Sequence, residues 1–445
     1  MLQSAPPRRP GARPLTPRQV AFTAMVGTAV ELYDFILYSF VAALVFGPLF
    51  FPGFHPWVGT LVALSSHAVA FVTRPLGAVV FGWVGDRFGR RPALVASLGL
   101  MGVATVGVGL LPTYQTIGLA APLVLVGLRL LQGMAVGGEY PGAVVVAVEH
   151  APPGRRTFFG AFAQLGIMLG ILLAGASLLI ANAVVGVATF QAWGWRLPFL
   201  FSAVLVICGL VLRNRLAETP EFVAAAQRLE AGRRAGRLSV LLRHNLGTLV
   251  VCTMMWIGPV TFGYAFLTGL LAYTKTYVPE LSATTVQIGL VLTATVLVGV
   301  AGSSAWFGDR WGRERTLLLA GVWMMVWAAP SYWLIETASA GLLWTAMILG
   351  GLAYGAIGGV APSLMTEMFP VEVRYLGVAI AIAVSAFVGG AVLPLGALAV
   401  VGAAGGASWP MVAMMIVAGA ASTVAGAILH RSRAARQADV AMVTA

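Results

Sequence analysis

Apolar residues follow one another in long unbroken runs, and the polar positions collect in the gaps between them. The runs lie near residues 20 to 50, 57 to 83, 93 to 111, 117 to 148, 158 to 181, 196 to 213, 246 to 274, 285 to 307, 315 to 335, 340 to 367, 375 to 402 and 409 to 430. Each is long enough, at roughly 20 residues, for a helix to cross about 30 Å of hydrocarbon. The runs are continuous and do not alternate, which excludes an outer-membrane barrel. The pattern therefore predicts an all-α integral membrane protein with twelve transmembrane helices. The first run is too long for a cleaved leader, carries Glu31 and Asp34, and is followed by further spans, so it reads as a span in its own right.

The runs also repeat. GDRFGRR at Gly85 to Arg91 recurs as GDRWGRE at Gly308 to Glu314, after the second span of each half. Glu149, Pro152 and Arg156 return at one constant offset as Glu367, Pro370 and Arg374. Two similar six-helix bundles, residues 20–213 and 246–430, are expected to meet about a pseudo-two-fold axis, with a central cavity that opens to either side as the halves rock. Residues 1–19 read as a disordered tail, 214–245 as a central loop and 431–445 as a second tail; within the central loop, residues 216 to 244 read as short amphipathic surface helices.

Composition agrees with this picture. Of the 445 residues 59% are hydrophobic and 9% charged, against about a quarter charged in an ordinary soluble protein. The formal net charge of +12 would suggest nucleic acid in a soluble chain. In a twelve-span arrangement, however, 23 of the 27 basic residues fall on one side. The basic excess is thus topological: both termini and the central loop are predicted to be cytoplasmic, in the cell membrane, with no nucleic-acid partner. The two cysteines, Cys208 and Cys252, fall inside spans, so neither a disulfide framework nor a Cys-based metal site is expected.

Several motifs carry a resemblance. The GDRxGRR loop, its weaker copy and RLLQG at Arg129 to Gly133 resemble the major facilitator superfamily over essentially the whole chain. ELYDF at Glu31 to Phe35, TRPLGAVVFG at Thr73 to Gly82, GGE at Gly137 to Glu139, WGWRLPF at Trp193 to Phe199 and ETPEF at Glu218 to Phe222 are similar to its metabolite:proton symporters. That resemblance implies proton-coupled import of a small organic acid or zwitterion such as shikimate, 2-oxoglutarate, citrate, proline or betaine, with no cofactor. A facilitator or a proton-driven exporter of the same fold is the alternative, and the chain is expected to act as a monomer. Leu32 departs from the tryptophan usual in that family.

Charges inside the spans are the candidate chemistry, because each ionisable group near the bilayer centre costs about 2.5–3.5 kcal/mol unless it has a partner or a wet cavity. Glu31 and Asp34, at i and i+3, share a helix face, with Tyr38 one turn beyond Asp34. Two carboxylates in one low-dielectric site do not both ionise easily, so one is expected to carry a proton at neutral pH. Arg129 can grip a carboxylate through two parallel hydrogen bonds, and the resemblance ties the arginine of this motif to proton transfer. Competition then follows: protonating Asp34 frees Arg129 and an anion binds. A static pair is the alternative.

Gln132 and Glu139 fall within about 80° of Arg129 on the same helix and are expected to border the same cavity. Arg74, just before Pro75, suits a second contact to a carboxylate or a cap on carbonyls freed by the proline. His67 reads as a packed histidine and Lys275 as an interfacial anchor. The second half offers Trp256, Tyr264 and Tyr354 as walls that bury an organic skeleton.

At the membrane surface, Asp86, Arg87, Gly89, Arg90 and Arg91, with Asp309, Arg310, Gly312 and Arg313 as their second-half copy, match a loop that the superfamily uses to latch the cytoplasmic side. Glu149 with Arg156, and Glu367 with Arg374, are expected to complete the two charge networks. Scattered histidines and the lack of HExxH, GxSxG or a phosphate-binding glycine loop argue against a membrane enzyme. The repeated latch argues against a channel.

Overall fold

The computed structural model describes residues 15–53, 56–214 and 237–444. The tail to residue 14 and loop residues 215–236, which include most of the expected surface helices and the ETPEF motif, lie outside the described residues; Arg237–His244 is a short helix. Twelve membrane-length helices make up the described bundle. They are α1 (Pro17–Val41), α2 (Pro56–Arg87), α3 (Arg90–Leu110), α4 (Ala120–Glu149), α5 (Arg156–Val185), α6 (Arg196–Asn214), α7 (Leu246–Tyr264), α8 (Ala283–Phe307), α9 (Arg313–Glu336), α10 (Ala340–Met368), α11 (Arg374–Phe387) and α12 (Trp409–Thr444). Helices α1, α7 and α11 each continue through a five-residue π-turn into a further helical segment, Gly47–Phe50, Leu270–Tyr277 and Leu393–Ala403 respectively. The tail expected beyond residue 430 is helical to Thr444, because α12 does not stop where its apolar run does.

Sequence chemistry explains the boundaries. Thr16 caps α1 through a capping box with Gln19, and the Ser282 hydroxyl accepts the Thr285 amide at the start of α8. The 54 residues Ala283–Glu336 would form a helix about 80 Å long if straight, far more than a bilayer holds. They are divided at Gly312, whose φ of 107° only glycine adopts without strain. Gly89 does the same between α2 and α3, with φ 115° and ψ 158°. Both turns sit at the end of the molecule that carries the arginine-rich loops, the basic end.

Small residues set the helix spacing. Gly133 and Gly137 of α4 lie so close to α2 that an added Cβ would come within 2.0 Å of the Ala70 carbonyl and 2.3 Å of that of Arg74. Gly166 and Gly170 of α5 meet α1 in the same way. Between the halves, α2 packs along α11, and α5 packs along α8 and α10. The space left between these two seams is the central cavity.

Candidate functional site

The cavity, about 740 Å³ of empty space with its mouth included, lies at mid-depth between the halves. From the first half, α1 contributes Glu31, Leu32 and Ile36, α2 Arg74, α4 Val136, Gly137 and Tyr140, and α5 Ile167 and Ile171. From the second half come Trp256 and Tyr264 of α7, Tyr354 of α10 and Ala383 of α11. Glu31, Arg74, Trp256, Tyr264 and Tyr354 therefore meet in one space. Among the described residues, its ionisable side chains other than tyrosines are Glu31 and Arg74, both on the first-half wall.

Arg74 is 7% exposed. Its Nη2 donates to the Tyr264 hydroxyl at 3.2 Å, and its guanidinium lies over the rings of Phe35 and Phe71 at 4.4 and 4.3 Å. It pairs with no carboxylate among the described residues and caps no carbonyl beside Pro75. Cation–π contact with two desolvated rings holds the guanidinium in place while leaving it able to receive an anion.

Aromatic side chains close the cavity along its axis. Phe35, Phe71 and Tyr264 meet edge to face with centroids 4.8 to 5.8 Å apart, on the side away from the basic end. On the basic side, Tyr140 stacks on Trp256 across the two halves at 5.8 Å, and the Tyr140 hydroxyl donates to Gln164 at 3.3 Å.

Behind the cavity wall lies a buried polar layer with no cavity-lining member. The Arg129 guanidinium, fully buried, lies 3.5 Å over the Tyr38 ring and 5.2 Å from that of Phe35, and donates to Gln132 Oε1. Gln132 Nε2 donates to Thr105 at 2.6 Å, and Tyr38 shares a 2.6 Å hydrogen bond with Ser66. Asp34, also fully buried, receives no hydrogen bond on either carboxylate oxygen, although the hydroxyls of Thr105 and Ser202 stand beside it. Neither oxygen of Asp34 is gripped by Arg129 in this conformation; the guanidinium instead donates to the neutral amide of Gln132 and lies over the Tyr38 ring. Asp34 and Glu31 are also separated by their environments, one in the sealed layer and the other on the cavity wall.

Glu139 is placed differently from expectation. It faces away from the cavity, and both its oxygens are held by the Arg213 guanidinium, with Ser97 donating to Oε2 at 2.8 Å. Arg213, the last residue of its apolar run in the sequence, lies in the last turn of α6; it is 1% exposed and also donates to the Leu94 carbonyl at 2.8 Å. Its head occupies the notch left by Gly27, where a Cβ would sit 1.8 Å from Nη2. The helical angle that put Glu139 near Arg129 ignored this counter-ion from another helix.

At the basic end, the first-half loop bridges the two halves. Arg90 pairs with Asp86 and reaches Glu149 at 3.7 Å. Glu149 in turn binds Arg374 of α11 at 3.1 Å, and Asp86 Oδ2 accepts the Leu376 amide at 3.3 Å in the first turn of α11, where a helix end attracts negative charge. The Tyr375 hydroxyl donates to the Gly138 carbonyl at 2.6 Å from the other side of the seam. Glu149 is thus joined to Arg374 across the seam and to Arg90 within its own half, and Glu367 to Arg313 at 2.8 Å within its own half. Glu149 and Glu367 are members of charge networks as expected, but Arg374, expected in the second-half network, joins the first-half one. Arg156 is half-buried and makes contacts of its own.

The second copy of the loop is looser. Asp309 and Arg310 are exposed, with Arg310 over the Trp306 ring at 3.9 Å. Arg87 and Arg91 are likewise exposed, Arg87 lying over Trp83 at 5.1 Å. The side chain of His67 lies outside the described residues.

Thr105, Ser202, Phe35, Phe71, Tyr140 and Arg213 are the members the sequence did not single out. Only Arg213 carried a usable signal, a charge at the very end of an apolar run.

Comparison with known proteins follows the same architecture. Residues 24–394 match the model of the Major Facilitator Superfamily. The chain is 36% identical over 393 residues to the inner membrane metabolite transport protein YhjE of Escherichia coli K12, covering 84% of this chain and 86% of that one. It is 34% identical to the E. coli K12 shikimate transporter, covering 86% and 88%. Among solved structures, the proton:xylose symporter XylE bound to 6-bromo-6-deoxy-D-glucose superposes with a TM-score of 0.75 at 16% identity, covering 93% of this chain and 95% of that one.

Proposed function

The chain belongs to the Major Facilitator Superfamily and is a membrane transporter rather than an enzyme, and on that premise we propose that it imports a small carboxylate or zwitterion together with protons across the inner membrane. The observation that carries this reading is a pairing of two environments. Arg74 stands in the cavity without a carboxylate partner, and Asp34 lies just behind the wall with no donor on either oxygen.

An anionic substrate replaces the missing partner of Arg74, through two parallel bonds that a guanidinium fork provides. Glu31 on the same wall offers the opposite charge, so the ammonium of a zwitterion meets Glu31 and the faces of Tyr140 and Trp256. A charged carboxylate without donors in a dry interior costs several kcal/mol, so Asp34 is suited to carry a proton while the substrate is bound. Arg129 is its natural counter-ion in the other conformation: once Asp34 loses its proton, the guanidinium exchanges Gln132 for the carboxylate, and the buried layer changes shape beside Phe35. The basic end is the cytoplasmic side, and the network of Asp86, Arg90, Glu149 and Arg374 keeps it closed.

Uptake by purified protein in liposomes under an inward proton gradient tests the reading, with labelled shikimate, dicarboxylates, tricarboxylates, proline and betaine, with and without a protonophore. Protonophore-sensitive accumulation of one class is expected. Equilibration independent of the gradient would replace symport by facilitated diffusion.

A further inference from the structure

We propose that the transported carboxylate bears an apolar substituent, received by a side chamber between α7, α8 and α10 while the carboxylate meets Arg74. This deepens the proposed function and rests on its reading of the central cavity. A second, narrower space, about 330 Å³ only when its open mouth is included, opens beside the main one, and the two share Ile171, Gly263 and Tyr354. Its other walls include Phe262, Phe266, Leu290, Ala294, Leu297 and Met347, with no charged side chain among the described residues.

Three observations bear on its occupant. The first is the asymmetry of charge: Glu31 and Arg74 are both on the first-half wall, so a molecule with its carboxylate there directs its remainder towards the second half. The second is an unbroken aromatic path in that direction, with Tyr354 stacked on Phe262 at 6.1 Å and Phe262 on Phe266 at 4.5 Å. The third is the poverty of polar partners. A water needs two to four hydrogen-bonding groups to be held, and apolar cavities that lack them stay dry and take up hydrocarbon. The chamber supplies the Thr293 hydroxyl, 7% exposed and without a partner, and the Tyr354 hydroxyl at its mouth. A compact polar substrate would leave this space empty and its walls without packing contacts. An alkyl or phenyl group fills it.

Binding of straight-chain carboxylates from acetate to hexanoate, and of phenylacetate, to the purified full chain by calorimetry tests this. Affinity is expected to rise about fourfold per methylene until the chamber is full, then level off. Ala294→Leu should bring the plateau forward by one or two carbons and Leu297→Ala should delay it, with acetate binding unchanged in both. The unchanged acetate affinity reports that each variant is folded; should Ala294→Leu not fold, Leu297→Ala decides the question alone. An affinity flat with chain length, or a plateau that neither variant moves, would overturn the proposal. Arg74→Gln separates the two readings: it should weaken every member of the series equally. If it leaves them all unchanged, the carboxylate reading of the main cavity fails while the plateau shift still decides the chamber.

Discussion

Replacing Glu149 by glutamine should open the basic end, and its size follows from the geometry. Asp86, Glu149, Arg90 and Arg374 form a buried set of two acids and two arginines joining α2, α3, α4 and α11. Glu149→Gln keeps the side-chain shape but leaves one carboxylate in this set, Asp86, against two guanidinium groups. Removing one partner from a buried pair costs about 3–5 kcal/mol. The lower end applies here, because the Arg374 side chain retains 10% exposure and can recover some water. The penalty falls on the closed state, since separating the halves would hydrate both arginines.

A shift of about 3 kcal/mol is a factor of about 100 in the equilibrium. A protein that is ~99% closed at this end would become roughly evenly populated. Spin labels at Phe88 and Glu372, exposed positions on the two sides of the seam, read this out as a distance distribution in a background where Cys208 and Cys252 are serine. A second, longer distance should appear in Glu149→Gln. Adding Arg374→Met restores the charge balance and should reduce its share. An unchanged single distance in Glu149→Gln would refute the latch.

Asp34→Asn should abolish proton-driven accumulation while sparing counterflow exchange, measured with labelled substrate in liposomes; full accumulation would remove Asp34 from the coupling. Arg129→Lys should lose most uptake, because an ammonium cannot lie flat over Tyr38 while binding Gln132, and near-normal uptake would point to a simple charge role. Glu139→Gln should destabilise the protein by about 3–5 kcal/mol, seen as a lower thermal midpoint, since it strands the buried Arg213; Glu139→Gln with Arg213→Met should recover much of that loss, and no recovery would contradict the pairing.

The number of spans and the repeat were legible because hydrocarbon thickness and loop charge act on each segment separately. Intramembrane charges were legible for the same reason: Glu31, Arg74 and Arg129 stand out against apolar neighbours wherever they point. What they touch depends on helices distant in sequence. Glu139 was assigned to the cavity from its angle on α4, yet Arg213 of α6, 74 residues later, reaches it through the notch at Gly27. The latch partners follow the same logic, since Glu149 is 225 residues from Arg374 and only the packing of α2 and α4 against α11 brings them together. Asp34 and Glu31, one turn apart, read as a pair; a single turn of helix is enough to put one on the cavity wall and the other behind it.

The coupling of proton and solute movement is tested most directly by recording internal pH in dye-loaded liposomes as substrate is added outside, with no gradient imposed. The account predicts internal acidification that tracks solute entry in the wild type and is lost in Asp34→Asn. Solute entry at constant internal pH in the wild type would contradict it.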